Sequence, residues 1–299
     1  GEFIDDFVGG VVMGEQRFER IGAGVYWLGP DGETDRPVLG VVVGEEGVLV
    51  VDGGNSPAHG QLLWSKLKEL GVERVDHLVI THWHWDHIFG MSEFESLVWS
   101  SQRTREKMKE VCGWEWDDEA VAERVAKGEE IAFCQEMMMK EMPDRSGLRL
   151  RVPDVGIEGV VEIDLGGVRA QLMVVGGDHA ADSLLVYVPE AGVVFLSDCL
   201  YADIYRGPYN YTLAKLRPLA ERVQALEAEW FLWGHGEEVM AREGLVGYTN
   251  LLLGVGEVVA EVGEREEALR VVKGKFGGEE AEAELAEIVD MFLAGVVLG

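Results

Sequence analysis

The chain has 299 residues, 47% of them hydrophobic, and its 26 basic residues stand against 55 acidic ones for a formal net charge of −29. That length and apolar share suffice to bury one large domain with additions. The charge repels nucleic-acid backbones and anionic lipid surfaces, so neither RNA processing nor membrane attachment is expected. No apolar run reaches the roughly 18 residues of a membrane span. The start, Gly1-Glu2-Phe3-Ile4-Asp5-Asp6, lacks a basic region followed by an apolar segment, so no signal peptide is expected. Three cysteines (Cys112, Cys134, Cys199) make no disulfide framework and fit a reducing, cytoplasmic setting.

Residues 20–52 read as short strands with glycine-rich turns, such as 25–28 and 38–43. A helix follows, opened by Ser56-Pro57 and stopped at Gly71. The β-branched run 75–80 is a strand, and 97–99 is another. Residues 102–146 interrupt the strand order with two helical patterns, roughly 102–112 and 118–142. This insert is long for a connection and suits a cap over a site. Residues 101–151 hold 10 basic and 12 acidic residues, near balance in an otherwise acidic chain. Met137-Met138-Met139 there would either line an adaptable pocket or dock the insert onto the core. Three or four strands are expected over 160–199, a helix near 212–228, and a strand running into His235. Residues 245–262 and 279–298 carry apolar residues at helical spacing and would cover the core or form a homodimer face. Strands and helices alternating in two halves give an α/β sandwich.

Chemistry concentrates in Thr81-His82-Trp83-His84-Trp85-Asp86-His87, which holds three of the seven histidines. Imidazole nitrogens with a carboxylate are the ligand set of zinc and other borderline first-row metals. The stretch follows a strand, where α/β folds commonly place chemistry. In an extended loop His82, His84 and Asp86 share one side by the period of two, and His87 faces a second site. Single histidines elsewhere, His59 in the first helix and His77 at a strand start, read as structural or exposed.

The H-x-H-x-D-H order resembles the metallo-β-lactamase superfamily. The other positions of that pattern are filled in order, each at a strand end: His179 in Gly176-Gly177-Asp178-His179, Asp198 after 193–197, and His235 after 230–233. Val50-Val51-Asp52-Gly53-Gly54 matches a further signature of the family, with Asp52 supporting rather than ligating. The resemblance covers roughly residues 20–240. It implies a four-layer αββα sandwich over residues 1–240 with a helical cap insert at 102–146, and a C-terminal helical extension, 241–299, packed on the same domain. It also implies two divalent metal ions, zinc before manganese or iron. One would be held by His82, His84 and His179 and the other by Asp86, His87 and His235, with Asp198 bridging.

Two such ions share a hydroxide that attacks without a serine or cysteine nucleophile, and Asp86 would orient it. The expected activity is hydrolysis of a small ester, lactone or phosphoester, with weak promiscuous turnover of β-lactams. A native β-lactamase is disfavoured, because those enzymes usually lack a bridging carboxylate. The alternative is an oxidoreductase resembling the mononuclear iron persulfide dioxygenases of related fold. Tyr201, three residues after Asp198, matches the spacing of a substrate-contacting tyrosine in similar lactonases, against ordinary rim packing. Trp83 and Trp85 either flank the mouth or wedge the loop into the core, and at the mouth they would suit an apolar or aromatic small-molecule substrate. Cys199 should point away from the bridging position as a buried small hydrophobe.

Overall fold

The computed structural model describes residues 16–277 and 282–298. The expectation for the chain start and the expected helix start at Glu279 lie outside them. One sheet runs in chain order: β1 (Phe18–Gly22), β2 (Val25–Leu28), β3 (Leu39–Val43), β4 (Val48–Val51), β5 (His77–Ile80), β6 (Leu97–Ser101) and β7 (Val155–Ile157). It is antiparallel as far as β4 and parallel from there on. The second sheet has the order β13-β12-β11-β10-β9-β8, from β8 (Val160–Asp164), β9 (Arg169–Val174), β10 (Leu184–Val188), β11 (Val193–Ser197), β12 (Trp230–Trp233) and β13 (Met240–Ala241). Only its β11–β12 pair is parallel.

Side-chain alternation makes the layers. Val42, Leu49, Val51 and Val79 of the first sheet meet Leu172, Leu184, Val186, Phe195 and Leu232 of the second in a shared interior. Their neighbours Val41, Val50, Leu78 and Ile80 face the opposite way, onto helix α1 (Pro57–Glu69) and the insert. Leu185, Val194, Leu196 and Phe231 likewise face α6 (Leu213–Gln224), α7 (Arg242–Val262), α8 (Arg265–Phe276) and α9 (Glu282–Leu298). Three apolar interfaces therefore separate four layers, the αββα sandwich. Each fully buried Leu or Val contributes about 1.5–3 kcal/mol. Gly40 lets the sheets approach closely, since an added Cβ there would stand 2.6 Å from the Phe195 ring.

The insert differs from the sequence expectation by one helix. Residues 102–141 form α3 (Gln102–Val111), α4 (Asp118–Lys127) and α5 (Ala132–Glu141). The expected run 118–142 is broken at Gly128, which takes a left-handed conformation (φ 72°) and ends α4. Met137 and Met138 are buried against the core, so they dock the insert rather than line a cavity. Glu141, at the end of α5, accepts from both Nη2 (2.8 Å) and Nε (3.2 Å) of Arg36 and from Ser56 Oγ, nailing the insert to the first sheet's side. Helix α8 lies where no helix was expected. Helix α7 is long and apolar enough to cross a bilayer by length and composition, yet it buries Leu245, Leu252, Val255, Val258 and Val259 against the second sheet's helical layer.

Candidate metal centre

The chemistry-bearing residues come together at the ends of β4, β5, β11 and β12 and in the β9–β10 loop. Parallel β4–β5 and β11–β12 pairs bring those ends to one edge of the sandwich. Beyond Ile80 the chain bends at His82 and runs to His84, whose backbone (φ −61°, ψ 149°) caps the short helix α2 (Trp85–Ile88). The alternation argument therefore stops at His84. Asp86 lies on the helical turn beside His87, not on the side of His82 and His84 as an extended loop would have put it.

Two clusters result: His82 with His84 and His179, and Asp86 with His87, Asp198 and His235. This is the grouping implied by the family resemblance. In the first, His84 Nδ1 is 3.0 Å from His82 Nε2 and 3.0 Å from His179 Nε2. Two nitrogens on a tetrahedral ion, each roughly 2.0–2.1 Å from it, stand about 3.3 Å apart, close to this convergence. In the second, Asp86 Oδ2 is 2.8 Å from His87 Nε2 and 3.2 Å from His235 Nε2. Asp198 Oδ2 lies between the clusters: 3.3 Å from His87 Nε2, 3.3 Å from His179 Nε2, 3.6 Å from His235 Nε2 and 3.7 Å from His82 Nε2. Asp198 Oδ1 is buried without a hydrogen-bond donor. A Cβ on Gly234 would stand only 1.7 Å from that oxygen, so glycine is required before His235.

Four of the five imidazoles commit their other nitrogen to a protein oxygen. His82 Nδ1 meets Thr81 Oγ1 (3.1 Å), His87 Nδ1 meets Asp52 Oδ2 (2.8 Å), His179 Nδ1 meets the Ala202 carbonyl (3.1 Å) and His235 Nδ1 meets Asp35 Oδ1 (3.3 Å). Such partners fix each ring and leave one nitrogen for a cation. Asp52 supports rather than ligates, because it also accepts Thr81 N–H (2.8 Å) and Thr81 Oγ1 (2.9 Å). Asp35 was not found from the sequence: it sits in a turn with no motif, 200 positions from the histidine it meets. Asp35, Asp52 and Ser197 are the non-glycine residues with positive φ among those described (60°, 65° and 50°), and all three surround this centre. Strained backbone gathers where side chains must be aimed.

The electrostatics divide the clusters. Burial pushes the imidazoles of His82 and His84 well below their ordinary range, and neighbouring imidazoles add to it, so both are neutral lone-pair donors. Burial works the same way on His87, but the carboxylates of Asp86, Asp52 and Asp198 outweigh it and hold that imidazole well above its ordinary value. Burial would raise Asp198, but His87 and His235 keep its carboxylate well below the usual range. The residues present thus fit two cations: a three-nitrogen cradle, a mixed nitrogen–oxygen cradle, and a buried carboxylate aimed at both.

The chain matches the family model of the metallo-β-lactamase superfamily over residues 34–235. It belongs to that superfamily. No curated protein matches the chain. Among solved structures, a β-lactamase domain protein from Burkholderia ambifaria is similar at 14% identity and a TM-score of 0.59, covering 96% of this chain and 90% of its own. A metallo-β-lactamase from Pontibacter korlensis is similar at 21% identity and TM-score 0.53, covering 80% of this chain and 98% of its own. An archaeal metallo-β-lactamase superfamily protein from Sulfolobus tokodaii stands at 17% and 0.53, covering 92% and 99%. At these identities the likeness establishes the shared fold.

Around this superfamily centre, Tyr201 stacks on Trp233 (5.5 Å between centroids), and its phenol oxygen accepts the His235 backbone N–H (3.3 Å). Its ring lies 6.0 Å from His179 and 6.3 Å from His235. Tyr205, not separated from its neighbours by sequence reasoning, lies closer to a candidate ligand, 4.9 Å from the His84 ring. Trp85 is buried in the core beside Phe89, whereas Trp83 lines a cavity of about 580 Å³ with His84, His179 and Tyr205. Helices α3 and α4 wall the other side of that cavity. His59 is fully buried in α1, and His77 Nδ1 accepts Trp99 Nε1–H (3.1 Å). Cys199 is buried in the apolar layer under α6 and α7, away from the ligand atoms.

Proposed function

We propose that the chain is a dinuclear metallohydrolase acting on a small ester, lactone or phosphoester. The observation that carries this reading is Asp198 Oδ2, within 3.3–3.7 Å of ring nitrogens from both clusters. His82, His84 and His179 would hold one divalent ion, Asp86, His87 and His235 the other, and Asp198 both. Ions bound there would supply Lewis acidity and a water ionised near neutral pH. Asp86, kept ionised by His87 and His235 despite its burial, would orient the attacking water. Tyr201 stands beside both His179 and His235, where a phenol steadies the oxygen that gains charge. The cavity beside His84 takes the rest of the substrate, with Trp83 and Trp114 offering aromatic walls.

Metal content per chain, measured on protein purified without added metal, tests the reading. About two zinc or manganese ions, with turnover in an ester, lactone and phosphoester panel, are expected. About one iron per chain, with oxygen uptake on a persulfide, would replace this reading with the dioxygenase.

A further inference from the structure

The cavity wall built by the insert carries an unusual alternation of rings and cations. Lys107 Nζ lies 4.9 Å from the Trp83 ring and 4.7 Å from the Trp114 ring, and the Arg124 guanidinium lies 4.9 Å from Trp114 and 4.5 Å from Trp116. Trp83 in turn meets the His84 ring at 5.0 Å. A continuous stack therefore runs from a candidate metal ligand to Arg124, along a cavity that both residues line.

Arg124 is 9% exposed and only partly satisfied. Its Nη1 donates to the Glu115 carbonyl (3.0 Å), while Nε and Nη2 are buried and meet no acceptor. Those two nitrogens carry the parallel N–H groups on one edge of a guanidinium, the edge that grips a carboxylate through two bonds at once. Of the acids around it, Glu123 pairs with Lys127 (2.7 Å), Glu130 accepts the Ile131 N–H (2.9 Å), Asp117 accepts the Ala120 N–H (2.8 Å), and Glu129 lines the cavity without bonding that edge. The same insert gives all three nitrogens of its other buried arginine an acceptor. Arg145 donates to the carbonyls of Trp116, Met138 and Met142 and to Asp118. An insert that gives every nitrogen of one guanidinium an acceptor and leaves a whole edge of the next without one points to a partner from outside the chain.

We propose that the Nε–Nη2 edge of Arg124 binds the carboxylate of a ligand whose aromatic or apolar body lies along Trp114 and Trp83. Resting on the hydrolase reading above, this makes the substrate a carboxylate-bearing ester, lactone or phosphoester, with its scissile group at the two clusters and its anion two rings away. The edge is closed to bulk solvent, so the carboxylate reaches it only with a shift of the Arg124 side chain towards the cavity that it lines. Once inside, the contact is strong because water does not compete for it.

Calorimetric titration of the full chain, after removal of metal by chelation, tests the site with benzoate and its neutral analogue benzamide. Benzoate should bind at least about tenfold more tightly, as expected for a charge-assisted pair of bonds. Arg124→Met should erase that preference. Arg124→Lys keeps charge and stacking but loses the parallel donors, and should lose most of the preference with an unchanged melting temperature. Equal binding of the two probes by the unaltered chain, or an intact preference in Arg124→Lys, overturns the proposal even if Arg124→Met does not fold. Because no metal and no turnover enter the measurement, its failure is separate from a failure of the hydrolase reading, which metal content decides.

Discussion

The two ligand clusters share an aspartate and little else. The first is three imidazoles with no carboxylate of its own, all of them buried, and burial keeps His82 and His84 neutral. The second mixes two imidazoles with Asp86 and Asp198, and the His235 side chain is 23% exposed. An all-nitrogen cradle suits zinc and its neighbours, while carboxylate oxygens widen the choice to harder ions such as manganese. The difference teaches that the clusters should fill and empty separately, with the buried nitrogen site the more zinc-selective and the mixed site the more exchangeable.

Asp198→Ala breaks the comparison most severely, because it removes the one carboxylate within 3.3–3.7 Å of ring nitrogens from both clusters. It should lose both ions by metal analysis and lower turnover by at least about 10⁴-fold, beyond the usual range of a single general base. Asp86→Ala sharpens the comparison. The second ion should be lost, the first retained, and turnover reduced roughly 10²–10⁴-fold. Near-wild-type rates in that variant would sink the assigned role of Asp86. Asp52→Ala acts one bond further out, releasing the Nδ1 anchor of His87. It should weaken the second ion by roughly 10–100-fold in a competitive chelator titration, and the first ion less, because Asp52 reaches His82 only through Thr81 Oγ1; equal weakening of both would deny that the clusters are separately supported. Tyr201→Phe removes a single phenol oxygen that already accepts the His235 N–H. Lactone turnover should fall by up to about tenfold, with both ions kept.

The two clusters were not equally legible in the sequence. His82, His84, Asp198 and His235 follow strand ends, His179 lies in the β9–β10 loop and His87 in helix α2, all within recognisable local patterns, so their convergence could be expected from the family resemblance. Asp86 was legible as a residue but misplaced by periodicity, because a four-residue helix begins at Trp85 and ends the alternation. Asp35 left no signal: its contact with His235 joins residues far apart in the chain and depends on a left-handed turn. The same limit applies to the insert. Its helices could be read from apolar spacing, but the break at Gly128 depends on one glycine that a helix interior could also have tolerated. The stack from Trp83 to Trp116 joins three separate segments, and only the folded chain brings them into register.

His59 supplies the smallest effect and a control for the first cluster. It is as buried as His82 and His84, but it faces Gln16 (3.3 Å) rather than other ligand nitrogens. Burial pushes its imidazole well below the ordinary value of 6.5, with Arg36 adding to the shift. A depressed folded-state value means the unfolded chain takes up the proton first. The stability this neutral imidazole contributes is therefore fully present above pH 6.5 and lost as pH falls below it. Relative to His59→Gln, which cannot titrate, the wild-type chain should lose stability between pH 7.5 and 5.5 in denaturant unfolding. Metal loss at acid pH affects both proteins alike and cancels in the difference. A gap that stays constant across that range would mean His59 is protonated inside the fold. Burial alone would then not keep an imidazole neutral here, and the neutrality of His82 and His84 would have to come from their mutual repulsion instead.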